Sequence, residues 1–131
     1  MNLETLFGIP RMSTMELNDT NSVRGLYDLI KQFFKPSFVM VEVGSFEGIS
    51  TVLFSKCVSK IYSVDYYDYK VPDTGRIPEH DQSFVEAERM FIARTKDIPN
   101  IVKIRKKSVD AAMDFADRSL DAVYIDAEHD E

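Results

Sequence analysis

The sequence predicts an α/β fold, a parallel β-sheet with helices on both faces. Three observations predict it: four apolar runs read as strands, helix-like stretches separate them, and the first run closes on a glycine pair, Gly44 and Gly48. Strands that alternate with helices pair in parallel through right-handed crossovers. The chain has 131 residues and 15.1 kDa, a length that suits one domain over 1–131, with 1–17 as an N-terminal arm.

The elements follow in order. Asn18 or Asp19 can cap a helix whose apolar positions Val23, Leu26, Tyr27, Ile30, Phe33 and Phe34 recur at helical spacing until Pro36 ends it. Residues 38–43, FVMVEV, are β-branched and apolar and read as a buried strand. A helix over about 50–58 leads to a second strand at 60–65, KIYSVD. The polar, aromatic loop 66–80 contains Pro72, Gly75 and Pro78, and Asp81 can cap a helix with Phe84, Ala87, Met90, Phe91 and Ile92 on its apolar side. Pro99 and Asn100 precede a third strand, 101–105, then a short helix over 109–115 and a fourth strand over 120–126.

In an open parallel sheet, ligands bind beyond the carboxyl ends of the strands, at the point where strand order reverses. The glycine loop therefore belongs at that switch point, which makes strand one central and the order 3-2-1-4. Glycines there permit a sharp turn and close approach of a ligand to the backbone amides. Strand two ends in Asp65, about 20 residues after Gly44, the usual place for an acid that grips a ribose diol.

Two nucleoside cofactors compete for this pattern. A dinucleotide fingerprint starting at Gly44 needs glycine at position 46, where the chain has Phe46, and the Glu42 carboxylate repels a pyrophosphate. S-adenosylmethionine has no phosphate and carries an ammonium and a sulfonium, which an acid attracts. The charge argument favours it over NAD.

The blocks VEVGSFEGIST, IYSVD, IRKKSVDAAMDF and LDAVYIDAEHD, taken together and in this order, resemble the signature blocks of class I S-adenosylmethionine-dependent methyltransferases. The likeness covers about residues 38–131 and is greatest to the small-molecule subgroup with a Y-I-D-x-x-H block. It implies a Rossmann-like fold and an enzyme transferring methyl to a small-molecule acceptor, at oxygen. It also implies roles: Glu42, Gly44, Ser45 and Gly48 around the methionine part of the cofactor, Asp65 on the ribose, Tyr66 against the adenine. Lys107 and Ser108 fall where the third block borders the adenine, although Lys106-Lys107 replaces the family's Gly-Asp pair and weakens the contact with the adenine amine. Asp126 and His129 match the acid and histidine near the transferring methyl. Relatives continue into a seven-stranded sheet, so the chain is expected to be incomplete relative to that fold, ending after the fourth strand.

His129 can serve as general base on an acceptor hydroxyl, since its ordinary pKa is near neutral. Alternatively, Asp126 and His129 can contribute to a divalent metal site that acidifies the acceptor. Both can equally be exposed residues near the chain end. The alternative function is a non-catalytic binding or oligomerisation module. Ala122, Val123 and Tyr124 on the last strand leave an open apolar edge that invites pairing with another chain.

Net charge is −6, against a dedicated nucleic-acid module, which needs a concentrated positive field. The basic cluster Lys103, Arg105, Lys106 and Lys107 reads as a solvated strand edge. Tyr66, Tyr67 and Tyr69 with Asp68 suggest a loop covering the cofactor. Cys57, the single cysteine, reads as a small buried hydrophobe. No apolar run reaches the roughly 20 residues of a membrane span and no signal peptide is visible, so a cytoplasmic chain is expected.

Overall fold

The computed structural model describes residues 20–126 and Gly8. The N-terminal arm, the Asn18/Asp19 cap and His129 lie outside the described residues. The elements are α1 (Thr20–Phe33), β1 (Val39–Val43), α2 (Ile49–Ser55), β2 (Lys60–Val64), a 3-10 turn (Glu79–Asp81), α3 (Gln82–Thr95), β3 (Ile101–Ile104), α4 (Ser108–Ala112) and β4 (Ala122–Ile125). All three strand pairs are parallel and the order is β3-β2-β1-β4, as the switch-point argument requires. Register fixes the faces: Met40 stands beside Ile61 and Ala122, while Val41 stands beside Tyr62 and Val123.

The helices divide unequally. On the Met40 face, Val23 and Ile30 of α1 and Val52, Leu53 and Phe54 of α2 close the largest core cluster over Met40 and Ile61. Further along this face, Ala87 and Phe91 of α3 pack with Tyr67 and Ile101. The Val41 face is covered more thinly, by Ala111 of α4 with Phe115 and Leu120 over Val41 and Val64. Helix α4 has only five residues, so it cannot reach across the sheet to β4.

Several expectations shift in detail. Phe33 is exposed rather than on the packed side of α1, because the buried face runs through Val23, Ile30 and Phe34 and leaves Phe33 at its margin. Phe34 takes the contact, with its ring 5.2 Å from that of Phe54. Asp81 ends the 3-10 turn and makes no side-chain capping bond to α3. Cys57 is half-buried, packed on the rim of the main core. Among the described residues, no helix is long and apolar enough to cross a membrane.

Candidate functional site

The loop 44–48 leaves β1 with three residues in left-handed conformation, Gly44 (φ 90°), Phe46 (φ 43°) and Gly48 (φ 86°). Gly48 is needed twice over: its φ suits glycine, and a Cβ there would sit 2.9 Å from the Phe91 ring of α3. Phe46 has no such excuse, since a bulky side chain in this region is strained by about 1–3 kcal/mol. Neighbours hold it in place. Its N–H donates to Asp65 Oδ2 at 2.9 Å, and its carbonyl accepts from the Tyr67 hydroxyl. The backbone is thus held from both sides while the ring stays exposed.

Asp65 is the centre of this arrangement. Its second oxygen, Oδ1, accepts from Tyr67 N–H at 2.9 Å. One carboxylate therefore ties the glycine loop to the chain leaving β2. An ionised carboxylate offers about four acceptor sites, so two remain after these bonds. Asp65 is half-buried, with β1, β2 and β3 ending around it.

Glu42 lies deeper, at 0% exposure. It is reached by the hydroxyls of Ser50 and Thr51 from α2, each donating to a different carboxyl oxygen. Burial pushes its pKa up to about 7, the charges of Asp126 and Asp65 add to the rise, and the two hydroxyl bonds oppose it. Three acids, Glu42, Asp65 and Asp126, thus gather at the carboxyl ends of β1, β2 and β4. Ser45 is buried in the loop, its hydroxyl without a hydrogen bond of good geometry.

Tyr66 and Lys107 meet, with Nζ 5.4 Å from the ring centroid, at the ends of β2 and β3. Ser108 opens α4 directly after Lys107. Asp126 is exposed and follows β4, where its N–H donates to Val43 at 2.9 Å. Among the described residues no group of three or more His, Cys, Asp or Glu side chains could hold a metal ion.

The aromatic loop is not a simple cover. Tyr67 is buried at φ 46°, its ring against Phe91, and burial raises its hydroxyl pKa well beyond the usual tyrosine range. Nor is the basic cluster only a solvated edge. Lys103 pairs with Glu88 at 2.6 Å, and Arg105 reaches into the loop after β2. Burial alone would raise Glu88, but hydrogen bonds from Lys103 and Tyr69 and the charges of Lys103 and Arg105 outweigh it and hold the carboxyl below its usual range.

Two further supports escaped the sequence. The Arg94 guanidinium, buried under the loop, donates to the Glu47 carbonyl at 2.8 Å, and Nη1 lies 3.9 Å from the Glu47 carboxylate. The Ser50-Thr51 pair after Gly48 was the visible signal for a partner of Glu42. For Arg94 there was none, because its contact spans 47 residues.

The comparisons with known proteins agree with this architecture. No curated protein matches the sequence. Solved structures that resemble it include a precorrin-6y C5,15-methyltransferase from Geobacter metallireducens, with 11% identity over 88% of this chain and 52% of that one, TM-score 0.58. A phosphoethanolamine N-methyltransferase of Haemonchus contortus, in complex with phosphoethanolamine and S-adenosylhomocysteine, aligns over 82% of this chain and 19% of its own at 17% identity and TM-score 0.56. An rRNA methylase from Streptococcus thermophilus aligns over 79% and 48% at 15% identity and TM-score 0.52. This chain spans about half or less of each of them. The profile of a family described as "Methyltransferase domain" matches residues 41–131, more than half of the sequence. The chain belongs to this methyltransferase-domain family and has the class I S-adenosylmethionine-dependent methyltransferase fold.

Proposed function

We propose that the chain binds S-adenosylmethionine across the carboxyl ends of β1, β2 and β3 and serves methyl transfer to a small molecule, at oxygen. The observation that carries this reading is Asp65, which spends one acceptor site on Phe46 N–H and one on Tyr67 N–H and keeps two for a ribose diol. The loop of Gly44, Ser45 and Gly48 lies beside it for the methionine part. Glu42 sits beneath as a buried acid shared with Ser50 and Thr51, and Tyr66, Lys107 and Ser108 stand on the adenine side. When bound, the cofactor supplies an electrophilic methyl group on a sulfonium.

What the protein adds is placement of the acceptor and removal of its proton. Asp126, at the end of the strand beside β1, is proposed to serve that side of the reaction, with His129 three residues on as the proposed base. The net charge of −6 supports a small acceptor over a nucleic acid. A second reading, a binding module without turnover, draws on the exposure of Asp126 and of Val123 and Ile125 on β4 among the described residues.

Calorimetry with S-adenosylmethionine and S-adenosylhomocysteine tests the cofactor. Binding of both at one-to-one stoichiometry is expected, and absence of both would remove the reading. Labelled methyl should then move into a low-molecular-weight fraction of a cell extract. Label in RNA would reverse the acceptor assignment, and binding without any transfer would favour the module.

A further inference from the structure

Arg105 follows directly on β3, at the outer edge of the sheet, yet its side chain turns to the segment that leaves β2. Nε donates to the Tyr66 carbonyl at 3.0 Å, and Nη2 donates to the carbonyls of Tyr67 at 3.1 Å and Tyr69 at 2.7 Å. Its guanidinium carbon stands 4.2 Å from the centroid of the Tyr69 ring. The fork is itself held: Nη1 lies 3.6 Å from Glu88 Oε1, and the same oxygen accepts from the Tyr69 hydroxyl.

The planar fork of arginine presents separate donor atoms to these carbonyls and a flat face to the Tyr69 ring, whereas a lysine must bring its three donors from a single nitrogen and offers no plane to stack. The carbonyls it gathers belong to the residues that follow Asp65. They include Tyr67, whose N–H bonds Asp65, and Tyr66, whose ring meets Lys107. Pulling three carbonyls toward one centre forces the chain to curl around it, which orients Tyr66 toward the end of β3.

We propose that Arg105 is a positioning residue for the adenosine part of the cofactor, acting through Tyr66 and Asp65 and touching no ligand itself. The proposal rests on the cofactor reading above. It separates Arg105 from Lys106, whose ammonium pairs with Asp114 on the exposed surface at 2.6 Å. Without the fork, the segment 66–69 loses its common anchor, and the adenine side loses a fixed wall.

The test uses calorimetry with S-adenosylhomocysteine and with adenosine alone. Arg105→Met should weaken both by about tenfold, because the effect lies at the end the two ligands share. Arg105→Lys, which keeps the charge and loses the fork, should recover little. On a Tyr66→Ala, Asp65→Asn background, Arg105→Met should cost much less than on the wild type, since one group it positions is gone and the other is weakened. A residue that only holds the fold together would cost the same on both backgrounds. If Arg105→Met unfolds the chain by circular dichroism, the Lys variant carries the same comparison. Wild-type affinity in the folded Met or Lys variant, or full additivity on the double background, would overturn the proposal and leave the cofactor reading standing. Failure of the wild type to bind S-adenosylhomocysteine would overturn both.

Discussion

The two flanks of β1 differ. Toward β2, the strand opens into a loop held by Asp65, Tyr67 and Arg94, three side chains from two other parts of the chain. Toward β4, the register continues and Ala122 and Tyr124 still pack on the main core, but among the described residues the cover on the Val41 face stops: Val123 is 55% and Ile125 72% exposed, and Asp126 after them is exposed too. The cause is geometric. Three helices crowd the Met40 face, while the cluster around the short α4 covers residues of β1, β2 and β3 on the other face and none of β4. A strained loop such as 44–48 keeps its shape only where its surroundings over-determine it. Backbone precision in this chain therefore belongs to the β1–β2–β3 side, where the cofactor site is proposed.

The largest expected effect lies under that braced side. The folded protein holds the proton of Glu42 more tightly than the unfolded chain, up to about pH 7. Folding therefore takes up a proton between the ordinary carboxylate range and about 7, and stability falls as pH rises through this window. The loss should total about 3 kcal/mol. Urea unfolding from pH 5 to pH 8 should show it, and Glu42→Gln should flatten the slope while raising stability at pH 8. A wild type equally stable across that range would show that Glu42 is not held protonated.

Next comes Asp65. Replacing it with Ala removes two backbone bonds and the proposed ribose acceptor together, so S-adenosylhomocysteine should bind about 10- to 100-fold more weakly, or about 1.4–2.8 kcal/mol. Asp65→Asn keeps one acceptor oxygen and should lose less. Equal affinity in a folded Ala variant would break the ribose assignment.

The smallest effect belongs to the open flank. Val123→Lys alters a side chain more than half exposed, so stability should change by no more than about 0.5 kcal/mol and cofactor affinity not at all. A large drop in either would mean that this face is covered in solution, and the contrast between the flanks would fail.

Much of this was legible in the sequence. Apolar runs separated by helices gave the strands, and placing Gly44 at the switch point gave the order with β1 inside. Asp65 and the Tyr66–Lys107 neighbourhood could be placed because strand ends in a parallel sheet share one rim. What stayed hidden depends on contacts between distant positions. Tyr67 read as part of a loop covering the cofactor, yet it fills the space between Phe46 and Phe91, which no local pattern reveals. Arg105 sat in a run of like charges, and only the fold shows that its partners are carbonyls 36 to 39 residues back. Glu42 looked like a free carboxylate because the sequence shows charge and not burial.

Amide chemical-shift mapping during a titration with S-adenosylhomocysteine tests the central claim most directly. Perturbations should concentrate in residues 44–48, 65–67 and 106–108, with Val123 barely moved and the 66–69 segment responding as one unit. Shifts centred on the outer flank of β4, with the glycine loop and Asp65 silent, would contradict the account.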